Sequence, residues 1–98
     1  MDVIVHVVIR GRVQGIGYRA WAEYEAHARG IAGWVRNRRD GSVEALFAGA
    51  QNDVGAMIEA CREGPPGARI DAIDQRAGTA DELALRRGGE DFSVLATL

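Results

Sequence analysis

Apolar residues alternate along the first segment of the chain. Val5, Val7 and Ile9 fall on one side, and Ile4, His6 and Val8 on the other. Almost all are β-branched, which predicts a central strand over Val3–Ile9. His6 has no second His or Cys near it in sequence, so it reads as a partly exposed sheet histidine and not as a ligand or base. From Arg19 to Arg29 the run RAWAEYEAHAR is rich in alanine and other helix formers, and Gly30 stands where a left-handed C-terminal residue is wanted. This predicts a helix of about three turns. Ala22 and Ala26 would lie close on a sheet, with Trp21 and Tyr24 covering a flank.

The next stretch, AGWVRNRRDGSVEALFAG, predicts a hairpin. Trp34 and Val35 begin one strand, Asp40-Gly41 makes a tight turn, and Val43, Ala45 and Phe47 alternate after it. Between Gln51 and Glu63, Val54, Met57, Ile58 and Cys61 fall at i, i+3, i+4 and i+7, the stripe of an amphipathic helix. Asn52 or Asp53 would cap it and Gly64-Pro65-Pro66 would end it. Cys61 lies on the apolar stripe, so it reads as a buried, inert thiol. Ala68–Ala77 predicts a further strand in which Ile70 and Ile73 break alternation, as a bulge would make them do. AGTADELALRRGGED is a connection of unassigned form, and Phe92 and Val94 mark a short last strand. The order βαββαβ with a terminal strand predicts an α+β, ferredoxin-like sandwich: a mostly antiparallel sheet of four or five strands with both helices on one face.

Composition adds few constraints beyond this. At 98 residues, 47% hydrophobic and 27% charged, the chain is long enough and apolar enough for one globular domain, and no linker or repeat divides residues 1–98. A single cysteine excludes an internal disulfide, and the apolar N-terminal run is too short for a signal peptide or membrane span. A cytoplasmic location is therefore expected. The net charge of −2 conceals a division: Arg10–Arg39 holds seven arginines against Glu23 and Glu25, whereas everything from Asp40 onward is acidic on balance. The basic third surrounds a glycine-rich segment, GRVQGIGYRAW.

That segment, Gly11 to Tyr18, joins the first strand to the first helix. Glycines let a backbone turn its N–H groups toward a common centre, and a helix start adds unpaired N–H groups and a positive dipole end. Such a concavity binds anions. Arg19 sets a planar guanidinium beside it, a good match for phosphoryl oxygens. The spacing of Gly11, Gly15 and Gly17 matches neither a Walker A loop nor a dinucleotide fingerprint. By spacing alone, a phosphate cradle and a purely structural turn stand level. For Asn37, taken alone, a turn residue ahead of Arg38-Arg39-Asp40-Gly41 is the simpler reading.

GRVQGIGYR together with GWVRNRRDGSVEALFAG resembles the two signature stretches of the acylphosphatase family, in order and separated by one helix. The likeness extends through the second helix, GPPGARID and the closing Phe-containing strand. It implies a hydrolase of carboxylic-phosphoric anhydrides that acts without a metal or other cofactor. Its phosphate-binding loop would be Val13, Gln14, Gly15, Ile16, Gly17 and Tyr18; Arg19 would hold the phosphoryl group and Asn37 would place the attacking water. Asn37 cannot act as a base at neutral pH. A substrate oxygen would take the proton, making the hydrolysis substrate-assisted. Ile16 and Tyr18 replace the family's common Val and Phe, and Arg29 stands where an apolar residue is usual, leaving the last helical turn in question. Arg36, Arg38 and Arg39 would supply a positive rim. The expected partners are a small acyl phosphate and inorganic phosphate or another small oxyanion, with no nucleic acid, no membrane and a monomeric chain.

Two rival readings remain open at this level. A family-like domain can keep the cradle as a phosphate-binding or regulatory module without turnover. A ferredoxin-like sheet can also bind RNA, but Val3–Ile9 offers no exposed aromatic on which bases would stack.

Overall fold

In the computed structural model, which describes residues 1–98, the apolar N-terminal alternation becomes β1 (Asp2–Arg12). There follow α1 (Tyr18–Ala28), β2 (Ala32–Asn37), β3 (Val43–Ala50), α2 (Gln51–Glu63), β4 (Arg69–Ala77), α3 (Ala80–Leu83) and β5 (Phe92–Val94). The sheet order is β4-β1-β3-β2-β5. The first three pairings are antiparallel, and β5 adds to β2 in parallel. This is the ferredoxin-like α+β sandwich expected from the element order.

The core lies between the sheet and two helices. Val7, Ile9, Val35, Ala45 and Phe47 face Ala22 and Ala26 of α1, whose small side chains let the helix approach closely. The predicted stripe of α2, Val54, Met57, Ile58 and Cys61, is buried throughout. Burying one such large aliphatic side chain stabilises by about 1.5–3 kcal/mol, so α2 is held by its packing and not by its N-terminus. Its cap is Ala50, without a side-chain hydrogen bond, instead of Asn52 or Asp53. The helix starts directly where β3 ends, leaving both polar residues inside its first turn. Gly64 ends it as expected, at φ 65°. The irregularity in β4 is a bulge: Arg10 pairs with Ala72 but Gly11 pairs with Ile70, leaving Asp71 over. That extra residue is why Ile70 and Ile73, an odd number apart, both pack on the core.

The second face of the sheet departs from expectation. His6 is 5% exposed, not half open, and its Nε2 lies 2.7 Å from Glu44 Oε2. Arg36 Nε donates to Glu44 Oε1 at 2.6 Å, and its guanidinium sits 4.7 Å above the Trp34 ring. Burial pushes the Glu44 carboxyl up, but hydrogen bonds from Arg36 and His6 outweigh it and leave the group below its ordinary value. What covers this face is the connection left unassigned in the sequence. Gly78 packs against Ile4 and Leu46. α3 then starts at a capping box formed by Thr79 and Glu82, and the Trp34 indole donates to the Glu82 carbonyl at 2.8 Å. The spacing Thr79-x-x-Glu82 is a readable helix-start signature.

At the end of α1, Tyr24 is 73% exposed and covers no flank, because it points away from the sheet while Trp21 packs against the core. Arg29 is the C-terminal cap and pairs with Glu25 one turn earlier, so the helix end is held by an ion pair where an apolar contact is usual. No helix is long and apolar enough to cross a membrane.

Candidate active site

β1 carries the chain three residues further than its apolar run, to Arg12, so the glycine loop is shorter than predicted and Gly11 belongs to the strand. Gly11 serves the β1–β4 bulge instead: a Cβ there would stand 2.1 Å from the Arg69 carbonyl oxygen. The loop proper turns on Gly15 and Gly17, at φ 78° and 80°. Both have open space around them, so it is the left-handed backbone, not crowding, that calls for glycine. Gly17 is also the N-cap of α1 and has no side chain to occupy the helix's first N–H groups.

The consequence is a run of free donors. From Val13 through Ala20 no backbone N–H has an acceptor within the protein; the next, Trp21 N–H, donates to the Gly17 carbonyl at 3.0 Å. Residues carrying these amides, from Val13 and Gln14 through Gly15 and Gly17 to Tyr18 and Arg19, line a cleft of about 330 Å³. Its other wall holds Asn37 and Val94, with Ala20 and Glu23 from α1. The unpaired amides and the positive end of the helix dipole suit the cleft to an anion.

The two side chains given catalytic roles in the sequence reading, Arg19 and Asn37, both line this cleft. Arg19 is the second residue of α1. Asn37 is the last of β2 and lies on the same side of that strand as Val35, which is fully buried beneath α1. Neither side chain makes a hydrogen bond or ion pair inside the protein. No buried side-chain nitrogen or oxygen is left without a partner, so these two groups are open to the cleft and not sealed in the core. Arg36 stands on the other side of β2 and is spent on Glu44 and Trp34; it does not rim the site. Arg38 and Arg39 remain in the turn beyond Asn37, with Arg38 lining the shallow cleft on the second sheet face.

Of the expected loop residues, Ile16 alone does not line the cleft. It packs against the core and so anchors the loop from below. Tyr18 contributes its backbone only: its ring is buried and its hydroxyl donates to the Cys61 carbonyl at 2.7 Å, tying the start of α1 to α2. Burial pushes that phenol far up, and likewise pushes the Cys61 thiol up to about 12. Neither group ionises near neutral pH, and Cys61 is inert as expected.

Gln14 does more than supply an N–H. Its Nε2 donates to both the Arg38 and the Ser42 carbonyls, each at 2.8 Å. Those carbonyls belong to the β2–β3 turn, whose own closure includes Arg38 N–H to Ser42 O at 2.9 Å and the Asp40 carboxylate accepting from Ser42. One amide group thus ties the glycine loop to the strand end that carries Asn37. Sequence reasoning missed Glu23 and Val94. Glu23 lies four residues after Arg19 on a helix, a spacing that puts both on one face; Val94 gives no such signal, because its place follows from the parallel pairing of β5 with β2. No group of three or more His, Cys, Asp or Glu is arranged to hold a metal ion.

Known proteins resemble this chain along nearly its whole length. A curated acylphosphatase of Bradyrhizobium diazoefficiens is 64% identical over 95 residues, covering 97% of this chain and 96% of the relative. Among solved structures, an acylphosphatase from Bacillus subtilis superposes with a TM-score of 0.82 at 34% identity, over 97% of this chain and 99% of that one. Full-length HypF, in a phosphate- and nucleotide-bound form, matches with a TM-score of 0.82 at 25% identity, over 99% of this chain but only 12% of its own length. The acylphosphatase family description itself matches residues 5–93, and on that span and these identities the chain belongs to the acylphosphatase family.

Proposed function

We infer that the chain, as an acylphosphatase, hydrolyses the carboxyl-phosphate bond of small acyl phosphates, and that it does so in the cleft between the glycine loop and Asn37. The observation carrying this reading is the unbroken run of unpaired backbone N–H groups from Val13 to Ala20, with an unpaired guanidinium at Arg19. That donor set fits a phosphoryl group. A guanidinium about 4 Å from a phosphoryl oxygen contributes about 4 kcal/mol at a near-surface effective dielectric. Donors aimed at charge that grows in the transition state are worth about 3–4 kcal/mol apiece when removed.

The reaction needs little else. An acyl phosphate expels a carboxylate, which leaves unprotonated, so no general acid is required. Attack then depends on placing water in line behind phosphorus while the three equatorial oxygens are held. The Asn37 amide, unpaired and facing the cleft, both donates to and accepts from that water. As the water oxygen bonds to phosphorus and the P–O bond to the acyl group breaks, the water's proton passes to a phosphoryl oxygen. The products are a carboxylate and inorganic phosphate. Each step uses main-chain amides, Arg19, Asn37 and the substrate, with no cofactor.

The test is turnover of acetyl or benzoyl phosphate with a chelator present and no added metal. Hydrolysis competitively inhibited by inorganic phosphate supports the reading. Phosphate binding without turnover would overturn it in favour of a binding module.

A further inference from the structure

Glu23 is the one acid in an otherwise donor-rich and apolar cleft. It is half-buried, stands one helical turn beyond Arg19, and makes no ion pair or side-chain hydrogen bond. The same helix holds a control. Glu25 and Arg29, also four apart, do pair. The order of the residues is consistent with the difference, since acid before base at i, i+4 is the stronger arrangement on a helix and base before acid the weaker one. Arg19 is therefore left for a ligand, and Glu23 is left with a carboxylate that accepts hydrogen bonds and donates none.

A phosphoryl group cannot satisfy it, because that group is also an acceptor and is repelled. With the phosphoryl end held by the loop amides and Arg19, the cleft lining left over for the acyl end includes Ala20, Glu23 and Val94. We propose that Glu23 is a specificity-determining residue that selects acyl phosphates whose acyl group carries an N–H donor. Ala20 and Val94 give this end small apolar walls, which fits a short acyl group. This rests on the acylphosphatase reading above and adds to it the chemistry of the acyl portion.

Acetyl and carbamoyl phosphate test it directly, because they are nearly equal in size and differ in a methyl against an amino group. The kcat/KM of each is measured for the unaltered chain, Glu23→Gln and Glu23→Leu. The ratio of carbamoyl to acetyl phosphate should fall about tenfold in Glu23→Leu, which has no acceptor. It should fall less in Glu23→Gln, which keeps one. Acetyl phosphate turnover should rise in both variants, since a repelling charge has been removed from an anion site. A ratio constant within about twofold across all three proteins would overturn the proposal while leaving the hydrolase intact. If the unaltered chain hydrolyses neither compound, the acylphosphatase reading fails and this one fails with it.

Discussion

Gln14 offers the sharpest test of how the two halves of the site are held together. In Gln14→Leu the side chain keeps its bulk but loses the Nε2 group that donates to the Arg38 and Ser42 carbonyls, each at 2.8 Å. Both carbonyls retain a second partner, from Gly41 N–H at 3.1 Å and Arg38 N–H at 2.9 Å respectively, so neither is orphaned. The loss is then near the lower figure for a hydrogen bond, about 1 kcal/mol for each and about 2 kcal/mol in all. For a domain of this size that lowers Tm by about 8–16 °C. The catalytic effect should be of a different kind. The free N–H groups and Arg19 stay on one side, so phosphate should still bind, but Asn37 loses its link to them and the water is less well placed. Well below Tm, kcat should fall about 10- to 100-fold while inhibition by inorganic phosphate changes about twofold or less. The assays are thermal unfolding and steady-state kinetics with acetyl phosphate at increasing phosphate. A variant with lowered Tm and unchanged kcat would refute the positioning role, and one with unchanged Tm would refute the bonds themselves.

The remaining predictions bear on other parts of the molecule. Arg19→Gln should raise the inhibition constant for phosphate and lower kcat/KM by about 100- to 1,000-fold, measured by phosphate competition, because a charge-assisted contact to the phosphoryl group is lost. Asn37→Ala should lower kcat by a comparable factor and leave phosphate inhibition nearly unchanged; turnover at the unaltered rate would remove Asn37 from the mechanism. Gly17→Ala places a Cβ at φ 80° and should cost about 1–2 kcal/mol in denaturant unfolding, with weaker phosphate inhibition as the first turn of α1 shifts. Acid should loosen the cover of the second sheet face. Hydrogen bonds from Arg76, and then from the Thr79 backbone, hold Glu82 down from 4.5 to about 2. A carboxyl lowered on folding stabilises fully above its unfolded value and less as pH falls through its folded one, so this contribution is lost between about pH 4.5 and 2. Glu44, also lowered, titrates in the same direction. Tm measured against pH should therefore fall less steeply over that window in Glu82→Gln.

Several features were legible in the chain because they depend on neighbours in sequence. The stripe Val54, Met57, Ile58, Cys61 is buried as its spacing requires, since one helix face is fully set by residues three and four apart. The alternation in β1, the Asp40-Gly41 turn and the glycine at the end of α1 are local in the same sense. The second face of the sheet was not legible. His6 looked half exposed because its cover is the segment after β4, and its partner Glu44 is thirty-eight residues away. Tyr24 and the cap of α2 were misread for a related reason: helix propensity does not say at which angle a helix meets its sheet, nor how tightly β3 runs into α2.

Composition and spacing by themselves gave a glycine loop that could be a phosphate cradle or a structural turn, an arginine at a helix start, and an asparagine readable as a turn residue. The family resemblance joined these into one chemistry. Only the tertiary structure decided that Arg19 and Asn37 share a cleft, that Arg36 does not, and that Glu23 and Val94 complete the walls. The physical reason is that side-chain direction within an element follows its local period of 3.6 or 2, whereas which elements meet depends on strand order and register. Here β2 lies between β3 and β5, and the one amide of Gln14 reaches from the loop to its turn.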